Sequence, residues 1–199
     1  MATTLTARGE RSRNRLISAA AELFAQRGVN GTSLDDVLVR AGASKSQLYH
    51  YFANKQALVV AVIEHFDDVV MAGQGAMIDA LRTLDDVAAW FDAVAAYQVA
   101  QGFRGGCPVG TLAAELADTD ELARNAVGNC FASWRRRIAI GFGQMQRAGV
   151  LRAEADIDAL AAATLAAIEG GLLLSKSERS NASLRAVLDA TLAYLRTWA

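Results

Sequence analysis

The chain has 199 residues, 53% hydrophobic, 7% aromatic and 21% charged, which excludes an intrinsically disordered protein and provides enough apolar surface for a true core. A formal net charge of −1 excludes a uniformly basic nucleic-acid coat, and two cysteines, Cys107 and Cys130, supply neither a disulfide framework nor a CxxC metal spacing. The longest uncharged run, 93–103, is too short to span a bilayer, and no basic–apolar–small-residue leader opens the chain, so a reduced, cytoplasmic protein with no membrane partner is expected.

One proline in a chain crowded with Ala and Leu points to an all-α fold. The first helix is predicted from about Gly9 to Arg27. Leu16, Ala20, Leu23 and Phe24 share one stripe, Arg11, Arg13 and Arg15 lie off it, and Gly28 is placed as a left-handed cap. Ser33 caps a short second helix, Leu34 to Ala41, with Asp36 completing a shortened capping box. Gly42 breaks the chain, and Ser44 with Gln47 opens a third helix, Lys45 to Tyr51. Asn54 caps a fourth from Lys55.

Two short capped helices around a glycine turn outline a helix-turn-helix, leaning on the first helix through Val37, Leu38, Leu48 and Phe52; an ordinary helical hairpin is the plainer alternative. Charge separates this head from the rest. Residues 1–55 hold eight Lys/Arg against four acids, a net +4, and the remainder holds twelve against seventeen, a net −5. Such a head suits nucleic acid, although chance surface charge gives the same arithmetic.

Longer helices follow: about Asp85 to Gln101, then a glycine-rich break at Gly102, Gly105 and Gly106 with Pro108 in the first turn of the next helix. A long helix toward Ala148 is predicted to be opened by Asp118 with Glu121 and ended by Gly149. The last two run from about Asp158 to Ser175 and from about Ser183 to Trp198. Division into an N-terminal nucleic-acid-facing head, 1–55, and a helical body of other function, 56–199, is expected.

A major-groove helix reads base edges from its N-terminal end, so Lys45, Ser46 and Tyr49 are the exposed readers, while Leu48 must face inward. Ser33, Ser44, Gln47, Tyr51 and Lys55 supply donors for phosphate oxygens, and His50 is either a phosphate donor or a bystander.

From Arg11 to about Leu58 the chain resembles the DNA-binding domain of the TetR family of bacterial repressors. The residues that carry the likeness are Ala20-Ala21-Glu22-Leu23-Phe24, Gly28, Thr32-Ser33-Leu34-Asp35-Asp36-Val37, Ala41-Gly42-Ala43-Ser44-Lys45, Leu48-Tyr49-His50-Tyr51-Phe52 and Asn54-Lys55. Val39-Arg40 departs from the small residues more usual there. The resemblance implies a homodimer that sets its third helices in successive major grooves of a near-palindromic double-stranded operator, with the fourth helix coupling head to ligand domain. More weakly, Gly106-Cys107-Pro108-Val109-Gly110 with Leu112-Ala113-Ala114-Glu115-Leu116-Ala117-Asp118 is similar to the LmrA/YxaF-like branch. That branch implies repression of drug-efflux or aromatic-compound genes, relieved by planar aromatic ligands.

Phe66, Trp90, Val94, Tyr97, Phe103, Cys107, Leu112 and Trp134, with Met71, Phe142 and Met145, are candidates to line a mostly apolar effector pocket, each with plain core packing as its alternative. Glycines inside predicted helices, at 110, 128, 141, 143, 170 and 171, imply either close helix approach or cavity space. The stripe of Ala159, Ala162, Ala163, Ala166 and Gly170, with the leucine face of the last helix, suits a four-helix dimer interface. Cys107, at a helix N-terminus near Arg104, offers a second trigger, a thiol of lowered pKa that senses oxidants or electrophiles; a small buried hydrophobe is the alternative. Arg135-Arg136-Arg137 reads as a solvated, ion-paired face. The only histidines, His50 and His65, stand in no metal or triad spacing, so no enzyme, cofactor or metal is expected.

Overall fold

The computed structural model describes residues 6–199; the opening residues, over which no leader is expected, lie outside that range. All regular structure among the described residues is helical: α1 (Ala7–Arg27), α2 (Leu34–Ala41), α3 (Lys45–Tyr51), α4 (Lys55–Asp79), α5 (Leu84–Ala100), α6 (Pro108–Leu116), α7 (Glu121–Arg147), α8 (Ile157–Glu178) and α9 (Ala182–Arg196). The helices form two compact units, residues 1–68 with 112–127, and residues 69–111 with 128–199.

Capping decides where the helices of the first unit start. The Thr6 side chain accepts from the Gly9 N–H, setting the start of α1 two residues ahead of the sequence expectation. Ser33 and Asp36 cap each other's backbone at α2, and Ser44 and Gln47 do so at α3. Both boxes satisfy donors that an eight- or seven-residue helix leaves open at its first turn. Gly42 joins the two helices in the left-handed conformation, φ 58° and ψ 43°, and its N–H reaches back to the Leu38 and Val39 carbonyls. Gly28 also has positive φ, 74°, but with ψ 170°; it ends α1 in an extended, nearly glycine-only conformation and not as the expected left-handed cap. Leu16, Leu23, Phe24, Val37, Leu48, Phe52 and Leu58 are among the buried side chains of the head.

The turn after α1 is held from elsewhere in the same unit. The Glu115 carboxylate accepts the Val29 and Asn30 N–H groups at 3.0 and 2.8 Å, and the Lys55 ammonium donates to the Val29 carbonyl at 2.6 Å. Asp120 opens α7 by accepting from the Ala123 N–H at 3.0 Å, so it takes the capping position expected of Asp118, and it also receives the Gln56 amide at 2.7 Å.

In the second unit a continuous core runs through Leu81, Trp90, Phe91, Ile138, Phe142, Met145, Ile168, Leu184, Leu188 and Leu195. The leucines of α9 are therefore internal, which corrects their assignment to a dimer face; α9 packs them on α8 and α5. By length and composition α8 is apolar enough to cross a membrane, yet it buries Leu160, Ala161, Thr164, Ile168 and Leu172 as a bundle helix of this unit. Thr83 with Asp86 caps α5 reciprocally, and Asp156 caps α8.

The helical glycines divide by environment. A Cβ on Gly171 would meet Leu184 Cδ1 at 2.6 Å and the Leu184 backbone at 3.2 Å, and one on Gly141 would meet Leu81 Cβ at 2.9 Å. Those two are close approaches, whereas Gly128, Gly143 and Gly170 have no tight neighbour. Gly171→Ala is therefore expected to lower stability by about 1–2 kcal/mol, overpacking outweighing the gain in helix propensity. Gly128→Ala should raise it by up to about 1 kcal/mol. Denaturant unfolding of both variants checks the contrast, and equal shifts would contradict it.

Candidate functional site

The exposed surface of the head is built by α3 and the turn that precedes it. Leu48 is fully buried, which fixes the roll of α3 and leaves Ser44, Lys45, Ser46, Gln47, Tyr49 and His50 exposed, Tyr49 by 56% despite its ring. Tyr51 is half-buried, edge-on to His50 at 4.8 Å. Gln47 accepts the Ser44 N–H through its carbonyl oxygen at 2.9 Å, so its amide N–H₂ remains to donate outward. Lys45 lies 3.1 Å from Asp35, with both side chains 69% exposed, a pair that water and salt screen heavily.

Two expected phosphate donors have internal work. The Ser33 hydroxyl donates to Asp36 at 2.7 Å, and with the Ser33 backbone N–H it holds the Asp36 carboxyl below its ordinary range. Lys55 is half-buried on the Val29 carbonyl.

The second unit contains a cavity of about 320 Å³, open to solvent beside exposed Val69 and Tyr97, between α4, α5, α7, α8 and the start of α6, at the small end of ligand sites. Among the residues singled out from sequence, Met71, Trp90, Val94, Tyr97, Cys107 and Trp134 line it. The others lie elsewhere. Leu112 is buried in the first unit, where Phe66 is also found, half-buried; Phe142 and Met145 are in the core of the second unit. Phe103 occupies a positive-φ position in the loop before α6, and its carbonyl receives Arg179 at 3.5 Å.

Beyond Tyr97 and the indoles, the polar groups of the cavity, Gln74, Gln98 and Glu169, were not anticipated. Gln74 accepts from the Trp90 indole N–H at 3.0 Å. Gln98 is 1% exposed, and its side-chain carbonyl oxygen has no hydrogen-bond partner. Glu169 is packed against Gly110, where a Cβ would meet its carboxylate at 2.6 Å. The available signal was polarity interrupting an apolar stripe: Gln98 follows Phe91 and Val94 on α5, and Glu169 sits between Leu165 and Leu172 on α8.

Cys107 caps α6, its sulfur accepting from the Gly110 N–H at 3.3 Å, which places it at a helix N-terminus as expected. The expected lowering of its pKa is overturned. Burial pushes the thiol well above its ordinary value, the Glu169 charge pushes it further, and the Gly110 N–H offsets only part. Burial likewise raises Glu169, with the Cys107 thiol acting in the opposite direction as a hydrogen-bond donor. Arg104 is exposed. Arg137 of the three-arginine run grips Asp79 at 3.0 and 2.5 Å and holds that carboxyl below its ordinary range, while Arg135 and Arg136 are exposed.

A helix-turn-helix whose third helix is exposed at its N-terminal half, joined in one chain to a helical unit with a mostly apolar cavity, is the arrangement of one-component transcriptional regulators. Residues 16–62 match the bacterial regulatory proteins of the tetR family, and residues 83–190 match the C-terminal domain of LmrA/YxaF-like transcriptional regulators. The transcriptional regulator AcuR of Cereibacter sphaeroides is 32% identical over 165 residues, 82% of this chain and 75% of that protein. The transcriptional repressor DhaR of a Mycobacterium species is 25% identical over 177 residues, 86% of each of the two chains. The crystal structure of a TetR regulatory protein from Rhodobacter sphaeroides superposes with a TM-score of 0.78 at 28% identity, over 92% of this chain and 98% of that one. The chain belongs to the TetR family of transcriptional regulators, with a C-terminal domain of the LmrA/YxaF-like kind.

Cys107, half-buried with its thiol pKa raised, and the buried Cys130 should both label with a thiol reagent far more slowly at about pH 8 than in the unfolded chain. Fast native labelling of one thiol would contradict this. Because the folded thiol keeps a proton that the unfolded one releases above its ordinary value of 9.0, stability should fall as pH rises past that value. Cys107→Ser should flatten that fall in melting temperature.

Proposed function

We propose that the chain is a ligand-responsive repressor that binds a near-palindromic operator as a homodimer in the cytoplasm and leaves it when a small, largely apolar effector fills the cavity of the second unit. The observation that carries this reading is the exposed N-terminal half of α3, anchored by buried Leu48 and bearing Lys45, Ser46 and Tyr49. Lys45 suits guanine O6 and N7, and Tyr49 suits a thymine methyl or a phosphate. Ser44, Gln47, His50 and Tyr51 stand around them for backbone contacts, with the remaining donors of Ser33 and Lys55. The reader occupies the segment 1–55, and effector binding and dimerisation belong to 56–199.

Dimerisation is assigned to the outer side of α8, which exposes Ala159, Ala163, Ala166 and Gly170 and then Leu173 by 66%, together with Tyr194 of α9, exposed by 50%. Two heads about 34–36 Å apart then read half-sites in successive turns. The effector acts by its differential affinity for the DNA-binding and released states, and one that binds both equally changes nothing. The name of DhaR, a repressor, agrees with the direction of control.

Selection of bound DNA from a random duplex pool at near-physiological salt should enrich a two-fold symmetric site with half-sites about one helical turn apart. On that site Lys45→Ala and Tyr49→Ala should each weaken binding by about tenfold or more without changing the oligomeric state. No enriched site, or full affinity in both variants, would contradict the assignment of α3.

A further inference from the structure

The walls of the cavity carry one ionisable carboxyl and no base. Of the residues that line it only Glu169 bears a formal charge at neutral pH when ionised, and no lysine, arginine or histidine is among them. Its carboxylate receives a hydrogen bond from the Cys107 thiol, a weak donor. Gln98, 1% exposed, lines the same space with a carbonyl oxygen that nothing satisfies. A buried acceptor without a donor costs free energy that a ligand N–H recovers. Around these acceptors stand Trp90, Tyr97 and Trp134, whose ring faces are negative and attract cations.

Building on the proposed effector role of this cavity, we propose that its ligand is a small organic cation, an ammonium group on an apolar or aromatic body, whose N–H groups meet Glu169 and Gln98 while the body lies among Trp90, Tyr97 and Trp134. A carboxylate or phosphate ligand would face the carboxyl with no cation to offset it. A neutral apolar ligand would leave Gln98 unsatisfied. The ammonium supplies the missing donor and the missing counter-charge together. Burial disfavours the charge on Glu169, and an ammonium beside it gives that carboxylate a partner. The volume, about 320 Å³, limits the ligand to one ring and a short chain or to a comparable aliphatic amine.

The test compares three probes of similar size on the purified full chain by titration calorimetry: 2-phenylethylammonium, 2-phenylethanol and 3-phenylpropanoate. The ammonium should bind at least about tenfold more tightly than the alcohol, and the carboxylate more weakly than either. In Glu169→Gln the preference for ammonium over alcohol should disappear while the alcohol still binds. Tighter binding of the alcohol or the carboxylate by the wild-type protein would overturn the cation assignment and leave the cavity as an effector site. Failure of all three to bind would overturn the cavity reading and the cation assignment with it. The wild-type comparison stands without the variant, so a folding defect in Glu169→Gln does not remove the test.

Discussion

A single carboxylate sets the geometry on which the head depends. Glu115 accepts the N–H groups of Val29 and Asn30 in the turn after α1, from a position 86 residues further along the chain than Val29. Those amides follow a helix end and have no helical partner of their own. Lys55 satisfies the Val29 carbonyl, and the Thr32 hydroxyl satisfies that of Gly28, so the turn is gripped on its donors by α6 and on its acceptors by α4 and by itself. The helices that hang from this turn have eight and seven residues, too short to be stable alone, and their direction follows from the turn and from the burial of Val37, Leu38 and Leu48.

The second unit resolves a different conflict. Its helices approach closely where glycine allows it, Gly171 against Leu184 and Gly141 against Leu81, while the lining of α4, α5, α7 and α8 leaves space among aromatic rings. A packed core tolerates buried polar atoms when they are paired. Gln74 obeys this through the Trp90 indole, and Gln98 does not. Glu169 with Cys107 is a further departure: burial raises both groups, the carboxyl makes the thiol harder to ionise, and the thiol, as a donor, makes the carboxyl easier to ionise. Such departures are expected where a site is kept for a ligand and not for stability. They also explain why Cys107 is not a resting thiolate, since the helix dipole is opposed by burial and by a neighbouring negative charge.

Local chemistry was legible in the sequence and distant chemistry was not. Ser33 with Asp36 and Ser44 with Gln47 act over three residues, so the boundaries of α2 and α3 follow from the sequence. Thr83, Asp156 and Asp120 also act locally, but a competing polar neighbour, Asp118 in the last case, hid the true cap. The leucines of α9 have the periodicity of a buried face, and periodicity cannot distinguish burial within a chain from burial between chains; their packing on α8 and α5 decides it. Trp90, Val94, Tyr97, Cys107 and Trp134 meet in the cavity, whereas Phe66, Phe103 and Leu112 are apolar residues of the same appearance placed elsewhere by topology. Glu115 stood in plain view within the stretch that resembles the LmrA/YxaF-like branch, with nothing local to show that its partners are Val29 and Asn30.

The most direct measurement is amide hydrogen exchange at Val29 and Asn30 in Glu115→Gln, read together with the affinity of that variant for the selected DNA site. An amide side chain offers one acceptor oxygen and turns an N–H₂ toward the second backbone donor. The account predicts faster exchange at both amides and operator affinity reduced by about tenfold or more, although Glu115 belongs to α6 and not to the reading helix. Unchanged protection and unchanged affinity would show that the turn holds itself and that the carboxylate is incidental.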